Sequence, residues 1–114
     1  NKTPVFFIEK DKFLLINRLK NEIPSALFPE LNSEISSPVL VTTLSTRLDK
    51  AISIDNGVMH MIGLAKIPMI VLFGPTDSEK FAPIGKRINI LDSKKIYNSD
   101  NINTIKVEDV LNLI

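Results

Sequence analysis

The sequence holds no cysteine and no tryptophan, one histidine, one tyrosine and four glycines among its 114 residues. Each scarcity closes off a class of chemistry. Without cysteine there is neither a disulfide framework nor a thiolate zinc site, and with one histidine a metal cluster would have to be built from carboxylates alone. No metal and no cofactor are expected. The lack of thiols fits residence in the cytoplasm. No apolar run approaches ~20 residues and no signal-like segment is present, so a soluble chain that does not span a membrane is expected. The 14 Lys and Arg against 13 Asp and Glu leave a formal charge of +1. The basic residues are scattered as Lys10, Lys12, Lys20, Lys86, Arg87, Lys94 and Lys95. With so little net charge and one tyrosine for stacking, nucleic acid is not an expected partner. Four glycines also mean that the backbone can be approached closely at only a few places.

The length suits one domain with a modest core. There is no starting Met, and the first residues read as the lead-in to a strand, so the chain is expected to be part of something longer. No repeat period is present, and the abundance of Asn, Lys and Ile reads as nucleotide bias rather than low complexity.

The stretch that organises the rest is Ala51-Ile52-Ser53-Ile54-Asp55-Asn56-Gly57-Val58-Met59-His60-Met61-Ile62. A short apolar strand stops at Asp-Asn-Gly and restarts as a helix. Asp55 and Asn56 can each accept hydrogen bonds from the unpaired N–H groups that open the helix, and Gly57 has no side chain to keep a ligand off them. Such a junction suits phosphate, because free donors and a partial positive charge converge there. His60, three residues past Gly57, lies one turn in on the same face. Two other readings stay open. Asn-Gly between apolar runs is also a type I′ hairpin signal, which would make residues 58–62 a strand. His60 could equally be a partly buried histidine with a satisfied ring. Against the hairpin, Met59, Met61, Leu64 and Ala65 favour helix, Lys66 suits a last turn, and Val58, Met61, Ile62 and Ala65 recur at helical period.

In chain order, residues 4–8 read as a first strand, apolar throughout and so covered on both faces. Asp11 would cap a helix over residues 12–21 with Leu15, Ile16, Leu19 and Ile23 facing inward, ended by Pro24. Residues 26–28 form a short strand, and residues 30–36 a polar connection. Ser37-Pro38 starts a helix, with Leu40, Val41, Leu44, Leu48 and Ala51 on one face. Residues 68–73 are the strongest strand, ending at Gly74-Pro75-Thr76-Asp77. Ligands in open α/β sheets collect beside the carboxyl ends of strands, so this turn is expected near Asp55, Asn56 and Gly57. Residues 80–86 read as a loop, 87–91 as a last strand and 94–103 as a polar loop. A closing helix over 107–114 would turn Val107, Val110, Leu111 and Ile114 to the sheet. Strand then helix, repeated about four times, predicts an α/β fold with a Rossmann-like, doubly wound parallel sheet.

Asp55-Asn56-Gly57-Val58-Met59-His60, then Phe73-Gly74-Pro75-Thr76-Asp77, then Pro83-Ile84-Gly85, resembles the carboxyl-terminal half of the family 9 glycosyltransferases, the lipopolysaccharide heptosyltransferases. The family pattern is Asp-Ser/Thr-Gly-x-x-His followed by Phe-Gly-Pro-Thr. The likeness is specific over residues 52–85 and topological elsewhere. It implies a GT-B architecture, two Rossmann-like halves facing across a cleft. Residues 1–114 would be the half that holds the nucleotide sugar, ADP-heptose by resemblance, with the acceptor-binding amino-terminal half absent.

The resemblance further implies that Asn56 and Gly57 offer main-chain N–H groups to the donor diphosphate and that His60 supports the same phosphates. Asp55 would orient the turn or touch the sugar. Glu9 would reach the ribose, Ser36 or Ser37 would border the base, and Gly74, Pro75 and Thr76 would lie nearby. Donors preset at the helix start would stabilise the departing diphosphate without a metal. The acceptor would be a lipopolysaccharide core or another glycan, transfer would invert the anomeric carbon, and the general base would come from the other half. That half would also make any contact with the inner face of the cytoplasmic membrane. The chain departs from the pattern in having Asn56 for Ser or Thr, Met61 and Ile62 for small residues, and Ile8-Glu9-Lys10-Asp11 where glycines are usual. Two other functions share these features: another GT-B enzyme, such as a nucleotide-sugar epimerase, and a non-catalytic α/β module kept for protein contacts.

Overall fold

The computed structural model describes residues 2–31, 37–83, 85 and 87–114, with Ser37 described by its backbone only. The chain divides into two compact units, Asn1–Val41 and Thr42–Ile114.

In the first unit, helix α1 (Phe13–Glu22) falls one residue later than its apolar spacing predicts. Asp11 does not cap it. Lys12 stands at the N-cap without a side-chain bond, and the turn is closed instead by the Lys12 N–H donating to the Glu9 carbonyl at 3.0 Å. Of the expected inward stripe, Ile16 is buried, Leu19 and Ile23 are half-buried, and Leu15 is exposed, since the stripe is narrower than its periodicity suggests. Ile23 is the C-cap, as Pro24 requires. The two short strands reduce to one parallel bridge, Val5 to Leu27, with Leu27 N–H donating to Pro4 O and Phe6 N–H to Leu27 O, both 2.9 Å. Pro29 has no N–H with which to lengthen that ladder. Residues 4–8 are half-buried rather than covered on both faces. Phe6 and Phe28 stack with ring centroids 5.6 Å apart, and the Lys20 ammonium lies 5.7 Å from the Phe28 ring. Residues 29–31 form a 3-10 turn. The connection expected at 30–36 lies outside the described residues from 32 onward.

Helix α2 (Ser37–Ser45) begins at the Ser-Pro pair and buries Leu40 and Val41. It ends before Leu48, and Ala51, expected on its face, instead opens strand β1 (Ala51–Ile54).

The second unit is built on a three-stranded sheet in the order β1-β2-β3, where β2 is Met69–Phe73 and β3 is Ile88–Asp92. Both pairings are parallel, with Ile54 beside Leu72 and Leu72 beside Leu91. The central strand is apolar at every position because both its faces are covered. Met69, Ile70, Val71 and Phe73 are all 1 % exposed or less. Fully burying side chains of this size contributes roughly 1.5–3 kcal/mol each, so β2 anchors the unit.

Parallel neighbours need crossovers, and helices supply them. Helix α3 (Gly57–Gly63) joins β1 to β2, with Met59 and Ile62 buried and Val58 and Met61 half-buried. Ala65 falls beyond it, and Lys66 takes a left-handed conformation, φ 58°, just past the end. Residues 78–81, partly expected as loop, form the short helix α4 (Ser78–Phe81). The expected polar loop 94–103 contains helix α5 (Ser93–Tyr97) and a 3-10 turn over Ile102–Thr104. Both were hidden by polar composition, yet each opens on a side-chain cap, Asp92 and Asn101. The closing helix α6 spans Val107–Leu111. Its expected inward face is wrong: Val107, Leu111 and Ile114 are exposed and Val110 is half-buried. The helix is held by polar groups instead, the Asp109 carboxylate accepting from Lys106 N–H at 2.9 Å and from the Tyr97 hydroxyl at 2.5 Å. Among the described residues no helix is long and apolar enough to cross a membrane.

Candidate functional site

All three strands of the sheet run the same way, so their carboxyl ends share one edge. At each end an Asn or Asp caps the next helix. Asn56 Oδ1 accepts from Met59 N–H at 3.1 Å, Asp77 Oδ1 from Glu79 N–H at 3.0 Å, and Asp92 Oδ1 from Lys94 N–H at 3.0 Å. Short polar side chains at these positions stop the strand and satisfy the first helical donors in one step.

The Asp55-Asn56-Gly57 turn is therefore a helix start and not a hairpin. Asn56 is extended, φ −159° and ψ −178°, as an N-cap should be. Asp55 donates its own N–H to Leu72 O at 3.2 Å, which ties the turn to β2. Asn56 and Gly57 are exposed and Asp55 is half-buried. Among the described residues no acceptor in the chain meets the Gly57 or Val58 N–H. His60 is exposed, one turn along the same side of α3 as Gly57, so it is not a core histidine. Met59 and Ile62 fill the buried side in its place.

Gly57 carries most of the information. Among the described residues no glycine has a positive φ, so conformation does not require glycine here. Packing does not require it either, because a Cβ built at Gly57 meets nothing within 4 Å. What its missing side chain provides is open space over the bare start of α3. Gly74 is the opposite case: a Cβ there would come within 2.9 Å of Ile102 Cβ and 3.0 Å of both Asp100 O and Ile102 N. It is glycine because the segment carrying Asp100 and Ile102 rests on it.

Gly74, Pro75 and Thr76 follow β2 directly. Asp55 bonds to Leu72, so the loop they form leaves the strand next to the one that carries the Asp55 turn. Asp55, Asn56 and Gly57 thus follow the end of β1, His60 one turn later in α3, and Gly74, Pro75 and Thr76 follow the end of the adjacent β2, all in the second unit. Glu9 is an exposed residue of the first unit, Ser36 lies outside the described residues, and Ser37 is described by backbone alone.

Sequence reasoning missed the group behind the loop. Asp92 is 3 % exposed and accepts from Ser78 Oγ at 2.6 Å, while Lys94 Nζ lies 2.9 Å from its Oδ1. Lys94 Nζ also donates to the carbonyls of Gly74 and Thr76, the latter at 2.6 Å. Burial is the largest influence on the Asp92 carboxyl and opposes its charge. The bonds from Ser78 and Lys94, with the Lys94 charge, outweigh it together and hold the carboxyl below its usual range. The signal available in the sequence was Asp92-Ser93 directly after a strand, a cap pattern like that at Asn56.

A hollow of about 170 Å³ is lined by Ser78, Glu79, Ile90, Asp92, Lys95 and Ile96. It does not include the Asp55 turn. Its two buried polar side chains, Ser78 and Asp92, are bonded to each other, and Lys95 is paired with Glu79 at 2.9 Å. The one cation that lines it thus already lies beside a carboxylate. Among the described residues no three of His, Asp and Glu converge as a metal site.

The model of glycosyltransferase family 9 (heptosyltransferase) matches residues 18–111. The chain belongs to glycosyltransferase family 9. No curated protein and no solved structure matches it. The family match reaches well beyond the motif-bearing residues 52–85, from within α1 to the end of α6. The parallel α/β sheet is the Rossmann-like arrangement that family membership implies.

Proposed function

We propose that this chain is the donor-binding half of a family 9 glycosyltransferase. It holds a nucleoside diphosphate sugar, ADP-heptose by family likeness, and the sugar passes with inversion to a lipopolysaccharide core or another glycan. The reading rests on the open space over Gly57, which neither conformation nor packing requires. In the reaction the bond from the anomeric carbon to the diphosphate oxygen breaks, and negative charge builds on the leaving phosphate. On this reading the N–H groups of Asn56 and Gly57 have the task of stabilising that charge, as donors held in place before the reaction. His60 adds a donor from the same side of α3, and Asp55 keeps the turn seated on β2. The general base that takes the acceptor proton belongs to an acceptor-binding half, also the place for contact with the membrane face in the cytoplasm. Residues 1–114 alone bind nucleotide weakly and transfer nothing.

Titration of the full-length protein with ADP, followed through backbone amide resonances, tests the reading. The Asn56 and Gly57 signals are expected to move. His60→Ala should weaken ADP by ~1–2 kcal/mol, the scale of one hydrogen bond to a charged group, or about 5- to 30-fold. Silent amides at 56 and 57, or an unchanged affinity in His60→Ala, would overturn it.

A further inference from the structure

Lys94 spends its whole hydrogen-bonding capacity on one loop and the carboxylate behind it. An ammonium has three N–H donors, and here three acceptors surround it: Gly74 O, Thr76 O at 2.6 Å and Asp92 Oδ1 at 2.9 Å. The two carbonyls flank Pro75, the residue of the loop that has no N–H of its own. Asp92 is fixed in turn by Ser78 Oγ at 2.6 Å, and Ser78 is the first residue after the loop. The loop is therefore held at its start through Gly74, in its middle through Thr76, and at its end through Ser78. From another side Asp100 and Ile102 press against Gly74. No comparable set of bonds joins the neighbouring Lys95 to the loop: its ammonium points to Glu79 at 2.9 Å.

We infer that Lys94 is a positioning residue for the donor, clamping the 74–77 loop as a fixed wall beside the Asp55-Asn56-Gly57 turn. This rests on the donor-site reading above. Asp55 is bonded to Leu72, two residues before Gly74, so the 74–77 loop leaves the strand that adjoins the Asp55 turn. A wall fixed before the ligand arrives removes an ordering cost from binding. Without the ammonium the two carbonyls must find other donors, and the loop loosens while β2, buried on both faces, stays in place.

The experiment compares Lys94→Met with Lys95→Met in the full-length protein, two variants that remove the same charge one residue apart. ADP is titrated, with inorganic pyrophosphate as a probe independent of the base, and backbone order at Thr76 and Asp77 is followed by amide relaxation. Lys94→Met is expected to weaken both probes 5- to 10-fold and to lower the order of Thr76 and Asp77 to that of a flexible loop. Lys95→Met should leave affinity within twofold of the parent and the loop order unchanged. Equal weakening by the two variants would reduce Lys94 to a general charge effect and overturn the inference, as would a loosened loop with unchanged affinity. Failure of the parent to bind either probe would overturn the donor reading itself, and with it the purpose given to the clamp. If Lys94→Met loses cooperative melting, Lys94→Gln, which keeps a neutral donor, is compared with Lys95→Gln and must show the same contrast.

Discussion

Replacing Gly57 with alanine separates folding from binding in a single substitution. Beyond its own turn of chain the added methyl meets no atom of the described residues within 4 Å, and the residue sits at the first position of α3 without a positive φ. Nothing in the native state therefore resists it. Alanine also narrows the unfolded ensemble and favours helix, a gain of about 0.4–1 kcal/mol where the backbone is compatible. Near a frayed helix end the gain falls to the lower part of that range. Stability in urea should hold or rise by up to about 0.5 kcal/mol, with an unchanged dependence on denaturant. Binding should move the other way. The methyl stands over the N–H groups that a diphosphate would approach, and pushing the anion back by a bond length costs at least about 1.4 kcal/mol, or tenfold. Calorimetric titration with ADP beside urea unfolding reads both quantities on one sample. A variant that binds ADP as well as the parent would refute the claim that the phosphate lies over Gly57. A variant destabilised by about 1 kcal/mol or more would refute the claim that the space is open.

The Asp92 group gives an acid-side signature. Its carboxyl is held below the usual range when folded, so its contribution is complete at neutral pH and is lost as pH falls through the unfolded value of about 3.9 toward the lower folded one. Asp92→Ala strands the Ser78 hydroxyl and uncaps α5, while the ion pair with half-exposed Lys94 is discounted for screening. A loss of about 2–4 kcal/mol at pH 7 follows, shrinking below pH 4 in urea titrations, and a loss that does not depend on pH would contradict it. Gly74→Ala should cost about 1–3 kcal/mol in the same assay, because its methyl meets the backbone of Asp100 and Ile102 at 3.0 Å, and a neutral result would mean that this segment yields freely.

Several local features could be read directly from residues. Asp-Asn-Gly after an Ile-rich run specifies a capped helix start because Asn56 and the first helical amides are three residues apart along the chain. The unbroken apolar run of β2 likewise announces a strand covered on both faces. Helices α4 and α5 were missed in whole or in part because their sequences are polar and only four and five residues long. Periodicity has nothing to act on at that length, and the caps were the only trace.

The apolar faces of α1 and α6 show the converse failure. Leu15, Val107, Leu111 and Ile114 sit at spacings that read as inward, yet they are exposed. Period shows which residues share a side of a helix; a neighbour must still be there to cover it.

By itself, then, the sequence determined the alternation of strand and helix and favoured a helix start at Asp55 to Gly57, since caps and periodicity act between residues close in the chain; that His60 is exposed and not a core histidine was left to the structure. Only the tertiary structure decided that Lys94 reaches back twenty positions to Gly74, that Asp92 is buried beneath Ser78, and that Gly74 must lack a side chain while Gly57 merely leaves room. Those outcomes depend on which distant atoms are brought within bonding distance. That is fixed by the sheet register and the packing around β2, and local propensity does not encode it.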